Sequence, residues 1–209
     1  MNTIINAKLP VIIEVLEKTS WWRYNLRFGT RTISTKSQVP LEVGALYYAN
    51  VNTANGGVIS INGLTKRPND AFISGGEQLI EAVIETGDAS IAFEFFKNRL
   101  VLCDAASELD ILCQSLIALN SGVLSVPFYY ENYYCLAQFS PAGSGLDFYL
   151  LFGTYPPVLA HIENGNIVQI KTAYNSLSTA LGAVLNCEFI TEKIEPLFKP
   201  AKNILDIKE

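Results

Sequence analysis

Residues 22–28 alternate without interruption: Trp22, Tyr24, Leu26 and Phe28 fall on one side, Arg23, Asn25 and Arg27 on the other. This is the period-two pattern of a half-buried strand. The rest of residues 8–64 reads in the same way. Leu9–Leu16 is apolar and rich in β-branched side chains, and Leu46–Val51 is rich in aromatics. Pro40 and Gly44 bracket the turn before that third strand. Val58–Ile61 follows Asn55-Gly56-Gly57, a hairpin signal because these residues accept positive φ. Residues 65–72, with Pro68, Asn69 and Asp70, break the pattern and mark a boundary. Beyond them the period becomes helical. Leu79, Ile80, Val83 and Ile84 predict a helix over 78–86 that stops at Gly87. Residues 90–103 fit either a buried helix or a strand, and helix is the preferred reading. Leu109, Leu112, Leu116 and Leu119 form one stripe of a helix over 107–119 that ends at Gly122. Strands then return at 123–130, 133–139, 146–152, 158–162 and 167–170, punctuated by Glu131-Asn132, Pro141–Gly145 and Asn164-Gly165-Asn166. A helix over 173–185 with Leu177, Leu181, Val184 and Leu185 inward, and a short strand at 187–190, complete the pattern.

These elements predict an α+β protein. Four or five short antiparallel strands over 1–65 suit a small β-barrel, OB-like in the sense of the oligonucleotide/oligosaccharide-binding barrels. Residues 66–121 form a helical segment, 122–198 a carboxyl-terminal antiparallel sheet with a packed helix, and 199–209 a frayed tail.

Composition sharpens this division. Hydrophobic residues make up 49% of the chain and charged ones 17%, enough apolar surface for a packed core and far from the disordered class. Residues 1–67 carry eight Lys/Arg against three Glu, a net of +5, whereas 68–209 carry seven against seventeen, a net of −10. Halves of opposite sign suggest two separately built units. No apolar run approaches the roughly 20 residues that a bilayer helix needs, so no membrane insertion is expected. The opening Met1–Asn6 lacks a basic n-region, and Glu14 and Glu17 interrupt any apolar segment. A cytoplasmic location is therefore expected.

Reactive chemistry has little to build on. His161 is the only histidine, so a hydrolase using a thiol would need a Cys135–His161 dyad across neighbouring strands. Cys103, Cys113, Cys135 and Cys187 include no close pair of the kind zinc sites and redox dithiols use; reduced, core-filling thiols are the simpler reading. No cofactor, metal or catalytic constellation is expected, and the chain reads as a non-enzyme. Ser74-Gly75-Gly76 ahead of a helix could hold an anion, but serves helix capping more simply. Glu77, Glu81 and Glu85 share one helix face and read as a solvated stripe. Trp21-Trp22-Arg23-Tyr24 combines aromatics with arginine, as in barrels that hold single-stranded nucleic acid, although Trp22, Tyr24, Leu26 and Phe28 also alternate as a core face should. Phe128-Tyr129-Tyr130 and Tyr133-Tyr134 on one hairpin make a candidate docking patch, since tyrosine gives large contact area with few rotors.

The carboxyl-terminal order carries a resemblance. Val123-Leu124-Ser125-Val126-Pro127-Phe128 is followed by Leu146-Asp147-Phe148-Tyr149-Leu150-Leu151-Phe152-Gly153, then Val158–Ile162, a polar hairpin, Ile167–Ile170 and the leucine-bearing helix. This resembles the carboxyl-terminal domain of the flagellar hook-length control proteins. There, a strand has a hydrophobic-Pro-hydrophobic step, another closes on glycine, and two more strands precede a leucine-rich helix. The opening segment looks like the amino-terminal barrel of some shorter members. The resemblance implies a protein-interaction role in flagellar type III export. Its partner would be the cytoplasmic domain of the export switch protein or a small paralogue, and Val126, Pro127, Phe128 and Gly153 stand at the matching positions, carried over as partner-binding residues or as residues that shape the domain. The long Pro/Gln-rich ruler segment of the family is absent, which implies a shorter relative rather than the ruler.

Overall fold

A computed structural model describes residues 10–53, 59–67 and 71–200. The chain divides into two units, Met1–Asn69 with Tyr174–Thr179, and Asp70–Ala173 with Ala180–Glu209. The turn expected at Asn55-Gly56-Gly57, the break at Pro68–Asp70 and most of the 199–209 tail lie outside the described residues.

The first unit is a five-stranded antiparallel sheet of β1 (Val11–Ser20), β2 (Arg23–Phe28), β3 (Arg31–Lys36), β4 (Leu46–Thr53) and β5 (Ile59–Lys66). The strands lie in the order β3-β2-β1-β4-β5. Three consecutive strands are joined by short turns, and the fourth returns beside the first, which is the Greek-key arrangement. β1 serves both sides because its register shifts between Val15 and Glu17 and again between Lys18 and Ser20. Such irregularities bend a strand. Its first residues, Val11–Glu14, pair with β4, and its later ones with β2 alone. The long return at 37–45 is tied to the core, where the Tyr24 hydroxyl accepts from the Leu41 amide at 3.2 Å and the Tyr47 hydroxyl from the Glu42 amide at 3.0 Å. Ile13, Val15, Tyr24, Leu26 and Ala49 are buried there. Tyr174 joins the same unit by donating its hydroxyl to Gly63 O at 2.7 Å.

Two expectations change. β3 and β5 stand at the two ends of the sheet, and among the described residues no ladder joins them, so what is seen is a five-stranded antiparallel sheet and no closed barrel is found. Trp22, expected on the inward face, sits in the β1–β2 turn and is 37% exposed. The β1–β2 ladder ends at Ser20–Arg23, so the alternation begins one residue too late to bury it.

The second unit contains α1 (Gly76–Thr86), α2 (Ser90–Val101) and α3 (Ala106–Asn120), then β6 (Leu124–Tyr130), β7 (Tyr133–Ala142), β8 (Gly145–Phe152), β9 (Val158–Glu163) and β10 (Asn166–Thr172). α4 (Asn175–Gly182) follows, shared with the first unit, and β11 (Glu188–Thr191) closes the series. The sheet runs β11-β10-β9-β8-β7-β6. It is mixed, not wholly antiparallel: β11 pairs parallel to β10. Two parallel strands require a crossover, and α4 with its flanking loops supplies the chain length for one. The helical segment expected at 66–121 shares its core with the carboxyl-terminal sheet. Ile73, Leu79, Phe96 and Leu112 close on Leu124, Val126, Phe128, Cys135 and Ala137.

The leucine stripe of α3 is only partly inward. Leu112 is fully buried but Leu109 is 41% exposed, and the buried face runs through Ser115 and Ala118 instead. Their small side chains shorten the approach to the sheet. Val184, expected inward, is exposed because α4 ends at Gly182. On the sheet's opposite face the segment after β11 lies against Gln138, a residue only 1% exposed. The Gln138 amide donates to Ser125 Oγ at 3.0 Å and to Phe198 O at 2.9 Å, and accepts from Phe198 N–H at 3.1 Å. No helix among the described residues is long and apolar enough to cross a membrane.

Candidate functional site

The β6–β7 hairpin is built from aromatic residues, and its register sends them to both faces. Tyr130 opposes Tyr133, and Tyr129 opposes Tyr134. On the helix side the rings of Tyr130 and Tyr133 lie 6.1 and 5.5 Å from Phe152. On the other side Tyr129 sits edge-on to Phe72 at 4.6 Å and to Tyr134 at 6.1 Å. Tyr155 follows in the β8–β9 loop. Tyr129, Tyr130, Tyr133, Tyr155 and Phe72 are between 39% and 48% exposed. Exposed aromatics gathered at one end of a sheet are unusual on a surface without a partner. The sequence patch covered the hairpin tyrosines. Phe72 and Tyr155 join it only through the fold, from a loop before α1 and from a strand connection.

The four residues taken from the resemblance sit next to this corner but do not form it. Val126 is fully buried and Phe128 is 9% exposed. Both face α1, where a β-carbon added to Gly76 would stand 2.8 Å from Phe128 Cβ. These two side chains are core and are not available to a partner, which corrects their expected role. Pro127 is half-buried, and its carbonyl accepts from the Ile73 amide at 2.7 Å. Gly153 adopts φ +56°, and a β-carbon there would meet the Tyr133 ring at 2.8 Å. Its lack of a side chain is what lets Tyr133 lie over it. Thus Gly153 acts on the corner by positioning.

His161 lies on β9, on the sheet face away from the helices. Its Nδ1 is 2.7 Å from Asp147 Oδ1 and its Nε2 3.3 Å from Glu163 Oε1. The three border an open hollow of about 380 Å³ with Ser144, Gln169 and Lys171. The hydrogen bond that Asp147 accepts from the ring, and then the one that Glu163 accepts, raise the His161 pKa above the ordinary 6.5. A raised value means that the charged imidazole stabilises the folded chain fully below the ordinary midpoint, and that this contribution is lost as pH rises through the folded one. Since His161 is the only histidine, its imidazole resonances report the titration directly. The midpoint is expected above that of a free histidine, and Asp147→Asn is expected to lower it. A midpoint at the free value in the parent protein would contradict the geometry.

Cys135 is fully buried on the helix side, and burial pushes its thiol pKa up. Cys135 pairs with Phe152 at one end of β8, whereas His161 pairs with Asp147 near the other. They face opposite sides of the sheet, so the Cys135–His161 dyad does not form. Among the described residues no group of three or more His, Cys, Asp or Glu side chains gathers to hold a metal ion. The residue capping the start of α1 is Gly75, in the left-handed region and with no side-chain cap hydrogen bond, so the cap falls on Gly75 and not on Ser74.

In the first unit, Trp21 is 77% exposed at the β1–β2 turn, with Trp22 edge-on at 6.4 Å. Lys18 Nζ stands 5.5 Å from the Trp21 ring and 5.9 Å from that of Tyr24. The turn is fixed by Ser37 N–H donating to Trp22 O at 2.8 Å. Searches of protein-family models, of curated proteins and of solved structures find no match to this chain.

Proposed function

We propose that this chain is a non-enzymatic protein-interaction protein that docks through the aromatic corner of its second unit. The observation that carries the reading is the set of five exposed rings, Phe72, Tyr129, Tyr130, Tyr133 and Tyr155, on one end of a well-packed sheet. Rigid rings of this kind dominate binding energy at interfaces because they bury much area with little entropy lost.

The narrower reading is a short relative of the flagellar hook-length control proteins, acting on the cytoplasmic domain of the export switch protein or a small paralogue. What supports it is the order of elements. The Val126-Pro127-Phe128 step lies in β6, Gly153 follows β8 at positive φ, and β9, β10 and α4 come next. The acidic balance of the residues after 67 favours a basic partner surface. The first unit fits an OB-like domain in its Greek-key order, with the β3–β5 side left open.

The test is titration calorimetry of the full chain against the purified cytoplasmic domain of a flagellar export switch protein. A complex is expected, and the double variant Tyr130→Ser/Tyr133→Ser is expected to weaken it at least tenfold. Both side chains are exposed, so the unfolding midpoint should move little. No complex with the parent chain overturns the flagellar reading. A complex indifferent to both tyrosines overturns the docking surface.

A further inference from the structure

We propose that the β1–β2 turn of the first unit, with the adjoining outer face of β2 and β3, binds single-stranded nucleic acid, independently of the docking corner.

Three features converge on that ligand. The first is the exposed Trp21–Trp22 pair, with a lysine ammonium beside it. Exposed indole rings offer base-stacking surfaces, and Lys18, which pairs with Tyr24 on the inner side of the sheet, holds the Trp21 ring by its charge.

The second is charge placement. Arg23 and Lys36 are direct cross-strand partners, and both are exposed. Like charges in that position repel. The nearby carboxylates are committed elsewhere, Glu14 to Arg27, Glu17 to Asn25 and Glu42 to Lys66. Among the described residues neither Arg23 nor Lys36 has a carboxylate partner. An anion between them would convert this repulsion into attraction.

The third is the character of the face. Along β3 the residues on the Lys36 side are Ser34 and Thr32, both exposed. Hydroxyls beside two cations suit a sugar-phosphate chain. A lipid surface would instead call for apolar side chains at those positions.

The two tryptophans are the only ones in the chain, so intrinsic tryptophan fluorescence reports this site alone. The full chain is titrated at low salt with a deoxythymidine strand of about twelve nucleotides, a length in the usual range for such domains. Saturable quenching is expected. With Arg23 and Lys36 each meeting one phosphate, log K should fall against log salt with a slope of about −1.4, because each phosphate contributes roughly 0.7 on a single strand. Arg23→Ser/Lys36→Ser should bring that slope close to zero. In Trp21→Ala, followed by anisotropy of a labelled strand, affinity should drop about tenfold.

No quenching by the strand overturns the proposal, as does quenching without salt dependence. Two controls bear on the ligand class. An equal response to inorganic polyphosphate, which has no bases, overturns the stacking assignment. Anionic phospholipid vesicles that shift the emission while the strand does not overturn it in favour of a membrane surface.

Discussion

Gly145→Ala is expected to destabilise the second unit by about 3 kcal/mol, the upper end of the usual cost of overpacking, because the obstacle cannot turn aside. Gly145 opens β8 immediately after the turn at Gly143 and Ser144, paired with Ala142 of β7. A β-carbon there would stand 2.3 Å from the carbonyl oxygen of Ile162 and 3.1 Å from Glu163 Cγ. The first obstacle is backbone, not a side chain that can rotate. Relief requires β8 and β9 to separate where Leu146 pairs with Ile162 and Asp147 with His161. The same substitution should therefore lower the raised His161 midpoint. Urea unfolding followed by far-ultraviolet circular dichroism measures the loss, with tryptophan fluorescence reporting the first unit separately. Gly182→Ala is the contrasting case: its β-carbon would meet Phe189 at an ordinary 3.6 Å, so a change within about 0.5 kcal/mol, or a small gain, is expected. Equal midpoints for Gly145→Ala and the parent chain would contradict the close approach of the strands.

Much of the second unit was legible because its periodicities are strong and its turn residues unambiguous. Asn164-Gly165 marks the β9–β10 hairpin, and both residues take positive φ there. Residues 90–103, ambiguous by pattern, form α2 over Ser90–Val101. Tertiary packing decides it, since Ala92 and Phe96, four apart, are both fully buried. Arg31–Lys36 was not singled out as a strand. It is polar at most positions, and an edge strand needs only its Ile33 side to touch the core. The parallel pairing of β11 could not be read from alternation, which is identical for the two directions. Whether the first sheet closes is likewise a matter of strand order and shear, not of the pattern along any one strand.

The site was legible in its residue types and not in its geometry. Tyrosines on a hairpin suggest a docking patch, but adding Phe72 and Tyr155 takes knowledge of which loops share an end of the sheet. Val126 and Phe128 illustrate the opposite error. A hydrophobic-Pro-hydrophobic step marks a place in a fold, and such marks are often packing. Here both side chains close the core under α1. For His161, the alternation of β9 fixes its face, but its partner Asp147 lies fourteen residues away on β8 and depends on the strand register. A shift of one residue would have brought a different side chain opposite. Trp21 reverses this case: its position in a turn, outside the alternating run, is what leaves it exposed.

Gln138→Leu is expected to cost about 2–4 kcal/mol, although it keeps the side chain's volume and adds apolar character. Gln138 sits in the middle of β7 on the face away from the helices, essentially inaccessible to solvent. Its amide meets both backbone groups of Phe198 and the hydroxyl of Ser125, itself buried. Leucine can replace none of these bonds, and each buried polar group left without a partner carries a penalty of about 1–3 kcal/mol. The cheapest escape is for the segment after β11 to lift away so that Phe198 finds water, which also exposes Ile194, now 4% accessible. The substitution thus has a second signature besides a lower unfolding midpoint: faster tryptic cleavage after Lys193. That bond is held close to the sheet by Ile194 and by the Glu192 amide, which donates to Thr172 O at 3.0 Å. Ser125→Ala removes one bond and leaves both Phe198 bonds in place, so it should cost less and leave the cleavage rate near that of the parent. If Gln138→Leu matched the parent in both midpoint and cleavage, Gln138 would not be what fastens the carboxyl-terminal segment to the sheet.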